Sequence, residues 1–152
     1  MAVGVKMNDP YDLQRYVLAQ GPVLDEVYEE LRKGRKSSHW MWFIFPQMKG
    51  LGNSDMARRF AIASKEEGRA YLDHPLLGTR LRASTKLVNA VQGRTIEDIL
   101  GHVDAMKFRS SMTLFSYIAP AEEVFAAALK KYFDGKMDAA TLALLASTGE
   151  PD

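Results

Sequence analysis

Apolar residues recur at three- and four-residue spacing along most of this chain, broken at short intervals by capping and turn residues. Asp9-Pro10 offers a cap followed by proline at a first helical position, and Leu13, Tyr16, Val17 and Gln20 then mark one face. Gly21-Pro22 restarts the chain. Leu24, Val27, Tyr28 and Leu31 fall at i, i+3, i+4 and i+7, which predicts an amphipathic helix. Arg32 and Lys33 suit its last turn and Gly34 its stop. Ser54 predicts a helix through 63 with Met56, Phe60 and Ala63 inward. Ser64-Lys65-Glu66-Glu67 reads as a capping box opening a helix that ends at His74-Pro75. A longer helix over 76–92 stops at Gly93, and Thr95 caps a turn carrying Ile96, Ile99 and Leu100. Asp104 is expected to cap a helix holding Met106, Phe108, Met112, Leu114, Phe115 and Ile118. Pro120 starts the next, with Val124, Phe125, Ala128, Leu129 and Tyr132 inward, and Asp134-Gly135 breaks it. Asp138 caps a last helix bearing Leu142, Leu144 and Leu145.

The pattern predicts an all-α fold of about eight to ten short helices, in orthogonal or arc-like (α-horseshoe-type) packing. The helices are too short and too many for an up-down bundle. The length of 152 residues suits a single domain over 1–152, with 1–8 and 147–152 as flexible tails.

One segment departs from the pattern: Ser38-His39-Trp40-Met41-Trp42-Phe43-Ile44-Phe45-Pro46-Gln47-Met48-Lys49-Gly50-Leu51-Gly52 holds both tryptophans. Its apolar residues do not alternate. A short helix ending at Pro46 is the reading, a strand the alternative, since periodicity does not decide so short a run.

Composition narrows the function classes. Hydrophobic residues are 47% and charged residues 26%, as in folded globular proteins rather than disordered ones. The absence of cysteine excludes disulfides, thiolate catalysis and Cys-ligated metal. The N-terminal stretch is too short and weakly apolar for a signal peptide, and the longest apolar run, 40–46, is far below a membrane span. A cytoplasmic protein with no membrane partner is the expectation. A net charge of +1 provides no global attraction for nucleic acid.

Four stretches together resemble a known family: 38–47; Gly50-Leu51-Gly52-Asn53-Ser54; Ala70-Tyr71-Leu72-Asp73-His74-Pro75-Leu76-Leu77-Gly78-Thr79-Arg80-Leu81; and 104–115, Asp104-Ala105-Met106-Lys107-Phe108-Arg109-Ser110-Ser111-Met112-Thr113-Leu114-Phe115. They are similar to the bacterial family known as domain of unknown function 1810, and the resemblance spans roughly 11–145. It implies an all-α fold and no established activity, substrate, cofactor or catalytic residue. The label "calpastatin" that some members carry has no warrant here, because inhibitors of that type are disordered and this composition is globular.

Two constellations can carry chemistry. His39, Trp40 and Trp42 with the Gln47 amide can line a pocket that stacks a planar ligand and hydrogen-bonds its edge. The alternative is a core anchor, which is favoured for Met41, Phe43, Ile44 and Phe45. Asp104, Lys107 and Ser111 fall at i, i+3 and i+7 and share a helical face. Lys107 with Ser110 or Ser111 can bind phosphate or carboxylate, or form a Ser-Lys nucleophile pair. The competing reading makes Asp104 a cap, Lys107 its ion partner, and the hydroxyls of Ser110 and Thr113 bonds back to the helix. The Gly50-Leu51-Gly52 turn leads into a helix start but lacks the phosphate-loop pattern. His39, His74 and His102 have no metal-ligand spacing, so no metal and no cofactor are expected. The basic stretch 32–36 reads as a solvated helix end.

Three functions compete. The first is binding, with or without turnover, of a small planar anionic ligand such as a nucleotide-derived metabolite, between the Trp segment and the helix over 104–115. The second is a protein-interaction module, or homo-oligomer, with a Trp/Phe/Met surface. The third, nucleic-acid binding through 32–36 and the tryptophans, is opposed by the near-neutral charge. The catalytic residues, if the protein is an enzyme, are not legible.

Overall fold

The computed structural model describes residues 8–147. Among them the chain forms helices α1 (Gln14–Gln20), α2 (Leu24–Lys33), α3 (Met41–Ile44), α4 (Asp55–Arg59), α5 (Lys65–Asp73), α6 (Leu77–Ala90), α7 (Ile96–Leu100), α8 (His102–Ile118), α9 (Glu123–Phe133) and α10 (Ala139–Ser147), with a 3₁₀ turn at Gly21–Val23. No strand occurs among these residues. The one extended pairing is an isolated parallel bridge of Met48 with Ile62. The expected flexible tails fall largely on residues 1–7 and 148–152, which lie outside the described residues.

The local signals behave as their chemistry demands. The Asp9 carboxylate accepts from the Leu13 and Gln14 N–H groups, Ser54 Oγ from Ala57 N–H and Ser64 Oγ from Glu67 N–H. Thr95 and Asp98 form a complete capping box. Gly34 ends α2 in the left-handed conformation at φ +72°. The Trp segment is helical at Met41–Ile44, as the first of its two readings expects.

The chain departs from its local signals at four places, at three of them because of long-range contacts. Asp104 does not cap α8. Gly101 holds that position, and Asp104 sits in the first turn, drawn aside by an ion pair with Lys36. The helix after Ser54 stops at Arg59 rather than 63, because Ile62 leaves to bridge Met48, its N–H donating to Gln47 O and its C=O accepting from Lys49 N–H, both at 2.9 Å. Glu67 does not complete a box on Ser64. Its carboxylate accepts from Ala63 N–H and pairs with Arg15 at 2.9 Å. The helix expected from Pro120 starts at Glu123.

The packing closes around α8. Its buried residues run without a break from Ser111 to Ser116, so it has no solvent face there. Helices α5, α7, α9 and α10 pack against it. Of the two packings that short helices allow, the chain thus takes a compact one about a central helix, not an open arc. Aromatic rings extend this core in two runs that both begin in the Trp segment. Trp40, Phe45, Phe108 and Phe133 form one. Phe43, Phe60, Tyr16, Tyr71, Phe115 and Phe125 form the other, with Tyr16 and Tyr71 edge-to-face at 4.9 Å.

Three polar groups tether these elements, Gln20 and Glu30 buried and Arg15 partly so. Arg15 donates to Tyr11, Asp12, Arg59 and Ala61 carbonyls and to Glu67, fastening α1 to the loop after α4. Gln20 donates to Phe43 O and the Tyr71 hydroxyl. Glu30, on α2, holds the start of the Trp segment. Its carboxylate accepts from the Ser37 and Ser38 N–H groups, the Ser38 hydroxyl and the Trp40 indole N–H at 2.9 Å. Burial acts to raise this carboxyl's pKa, but the four donors outweigh it and hold it at about 2.

Two outcomes follow. A Cβ on Gly78 would lie 2.0 Å from the Leu72 carbonyl oxygen, a backbone atom with little room to move. Gly78→Ala therefore lowers urea-unfolding stability by about 3 kcal/mol; a loss below about 1 kcal/mol would show that the turn yields. Glu30→Gln costs about 2 kcal/mol at pH 7, since charge-assisted bonds become neutral ones. The folded carboxyl titrates at about 2 against 4.5 when free. Its contribution is therefore complete above pH 4.5 and fades as pH falls toward 2. The stability gap between wild type and Glu30→Gln should narrow over that window, and a pH-independent gap contradicts the assignment.

Candidate functional site

The Trp segment and α8 meet, and an opening lies along their junction. Its inner part is a slot between Trp42, Phe45, Phe60 and the stem of Lys107, about 10 Å³ in volume, which is room for about one water. The Lys107 ammonium lies 5.5 Å from the Trp42 ring centre, a cation–π distance. The outer part is a groove of about 250 Å³ lined by Gln47, Leu51, Gly52, Val103, Met106, Lys107, Ser110, Asp138 and Ala140. Gln47 and Lys107 border both parts.

Charge is arranged in a relay behind this opening. Asp104 accepts an ion pair from Lys36 at 2.9 Å through Oδ2 and faces Lys107 at 3.7 Å through Oδ1. Lys36 also lies over Trp40, at 5.0 Å from its ring centre. The Lys36 side chain is only 9% exposed. It is therefore not the solvated helix-end lysine expected from the basic stretch, although Arg32 and Lys33 are, paired with Glu29 on the surface. These pairs leave no continuous basic stripe beside the tryptophans.

The candidate residues separate accordingly. Trp42, Gln47 and Lys107 line the opening. Asp104 stands behind it and positions Lys107 rather than lining it. Trp40 is 1% exposed, packs on Phe45 and spends its N–H on Glu30, so it is a core anchor and not a stacking surface. His39 is exposed and lines neither part. Ser111 is fully buried and its hydroxyl has no partner, so it does not face the groove with Lys107. Ser110, one residue earlier, does. Its hydroxyl lies 3.2 Å from both Met106 O and Asp138 Oδ2. Thr113 donates back to Arg109 O and accepts from Asp138 N–H.

Asp138 is the groove residue that the sequence pattern conceals, because it is legible only as a cap. It does cap α10, accepting from Thr141 N–H at 3.0 Å, and it also lines the groove. The Gly50-Leu51-Gly52 turn serves geometry. Gly50 has φ +106°, and a Cβ on Gly52 would lie 2.6 Å from the Ala57 Cβ.

Two wider depressions exist, of about 390 Å³ beside Arg69 and Tyr117 and about 450 Å³ beside Asp9 and His74. Several of their polar groups are engaged: Arg69 donates to Ile118 O at 2.6 Å, both Asp9 oxygens take N–H groups, and His74 Nδ1 accepts from Leu76 and Leu77 N–H at the start of α6. At the narrower groove, by contrast, the Gln47 Oε1 is buried without a hydrogen-bond partner, a state that buried polar atoms rarely tolerate. Among the described residues no cluster of three or more His, Asp or Glu is placed to hold a metal. No helix among them is long and apolar enough to cross a membrane.

A comparison with curated proteins gives no match. Among solved structures, the chain is similar to the conserved hypothetical protein Rv1873 from Mycobacterium tuberculosis, with 56% sequence identity and a TM-score of 0.90 over 91% of this chain and 99% of that one. The family described as "Protein of unknown function (DUF1810)" matches residues 10–145, nearly the whole described chain. By this match, and by the all-helical fold it shares with its solved relative, the chain belongs to that family.

Proposed function

We propose that the chain binds a small molecule bearing an anionic group in the groove between the Trp segment and α8. The observation that carries this reading is the Lys107 ammonium, which makes no hydrogen bond among the described residues, set beside Gln47 at an apolar opening. Lys107 supplies the charge for the anion, Gln47 a side-chain amide at the opening, and Leu51, Val103 and Met106 the apolar wall. A planar body, such as that of a nucleotide-derived metabolite, lies along this wall; the 10 Å³ slot against Trp42 does not admit a ring.

A thermal-shift screen against carboxylates, phosphates and nucleotides tests the reading, since a saturating ligand adds a few kcal/mol of apparent stability. Lys107→Ala and Gln47→Ala should each weaken the best ligand at least tenfold while leaving the unliganded melting temperature within a few degrees. A ligand whose affinity survives both changes binds elsewhere and ends the proposal.

A protein-docking face is the second reading. Trp40, Phe43 and Phe45 are buried, so its support shrinks to Val103 and Met106, 65% and 50% exposed at the start of α8. Sedimentation of wild type and Met106→Glu over a hundredfold concentration range addresses self-association. A concentration-dependent species abolished by Met106→Glu would favour this reading over the first.

A further inference from the structure

We infer that the groove takes a zwitterion of the free α-amino-acid class, its carboxylate on Lys107 and its ammonium on Asp138. This rests on the ligand-binding reading of the same groove and narrows it. The spare hydrogen-bonding capacity of the lining has both signs. Lys107 Nζ finds its nearest carboxylate oxygen at 3.7 Å, too far for a hydrogen bond, so its three protons have no protein acceptor among the described residues. Asp138 is the converse. Its Oδ2 is saturated by the Thr141 N–H, the Thr141 hydroxyl and the Ser110 hydroxyl, while Oδ1 accepts from no described residue. The complement of one cationic donor and one anionic acceptor is a molecule with one anionic end and a cationic group rich in N–H donors, which an ammonium is.

Charge and size select within that class. Lys36 and Lys107 stand against Asp104 and Asp138, two positive and two negative. A zwitterion adds no net charge to this balance. A phosphate dianion brings charge that Lys107 alone would face while Asp104 and Asp138 repel it. The groove volume of about 250 Å³ is below the roughly 300–1,000 Å³ usual for drug-sized ligands. Leu51, Val103 and Met106 leave the remaining wall apolar, which suits an aliphatic or thioether side chain.

The test is calorimetric titration of the full chain with L-leucine, L-methionine, L-phenylalanine, their N-acetyl and carboxamide derivatives, and AMP. At least one free amino acid should bind with submillimolar Kd, and blocking either end should weaken it at least tenfold. Asp138→Asn, which keeps a helix-capping side chain, should abolish the penalty for N-acetylation; Lys107→Met should abolish the penalty for amidation. Equal binding of the N-acetyl derivatives, or no binding by any free amino acid, overturns the inference. If AMP binds through Lys107 while the amino acids do not, the inference falls and the broader reading stands. If neither class binds, and the wider screen finds no ligand either, both fall.

Discussion

One buried carboxylate holds the tryptophan segment in place, and most of the molecule's geometry follows from it. Glu30 takes hydrogen bonds from two consecutive backbone amides, a hydroxyl and an indole. Charge-assisted bonds of this kind are strong, and a buried carboxylate without them would be costly. With Trp40 fixed, Phe43 and Phe45 enter the two ring runs that cross the core. Trp42 is left at the edge, facing Lys107, and Lys107 in turn is steered by Asp104, which is itself held by Lys36.

How much of this was legible in the sequence depended on range. Helices and most of their caps were legible because a cap is a bond between residues three or four apart: Asp9, Ser54, Thr95 and Asp138 all behave locally. The failures are residues claimed by distant partners. Asp104 is taken by Lys36, Glu67 by Arg15, and Ile62 by Met48. Glu29 and Glu30 are adjacent and chemically identical, yet one pairs on the surface and the other is an interior anchor. Nothing in their immediate neighbours separates them, because the difference is made by Ser37, Ser38 and Trp40.

The candidate site shows the same division. Its location was legible, since the indole-rich segment and the lysine-bearing helix meet. Its membership was only half so. Along a helix one residue is a rotation of about 100°, and that step separates buried Ser111 from Ser110, which reaches the groove. Trp40, the most conspicuous kind of ligand-stacking residue, is consumed by the core, whereas Asp138 lines the groove, a position that its capping role disguises. Conspicuous residues here hold the scaffold, and plainer ones line its opening.

The central helix is unlike its neighbours along its own length. From Ser111 to Ser116 it is enclosed on every side, but its first turns expose Val103 and Met106. Amides in an enclosed stretch exchange with solvent only when the whole molecule opens, while those near a solvated end exchange through local fraying. Deuterium uptake along this one helix therefore spans two regimes, the inner half timing global unfolding and the outer half timing fluctuations at the groove. Because Lys107 lies in the outer half, the opening can breathe without loosening the core that it is built upon.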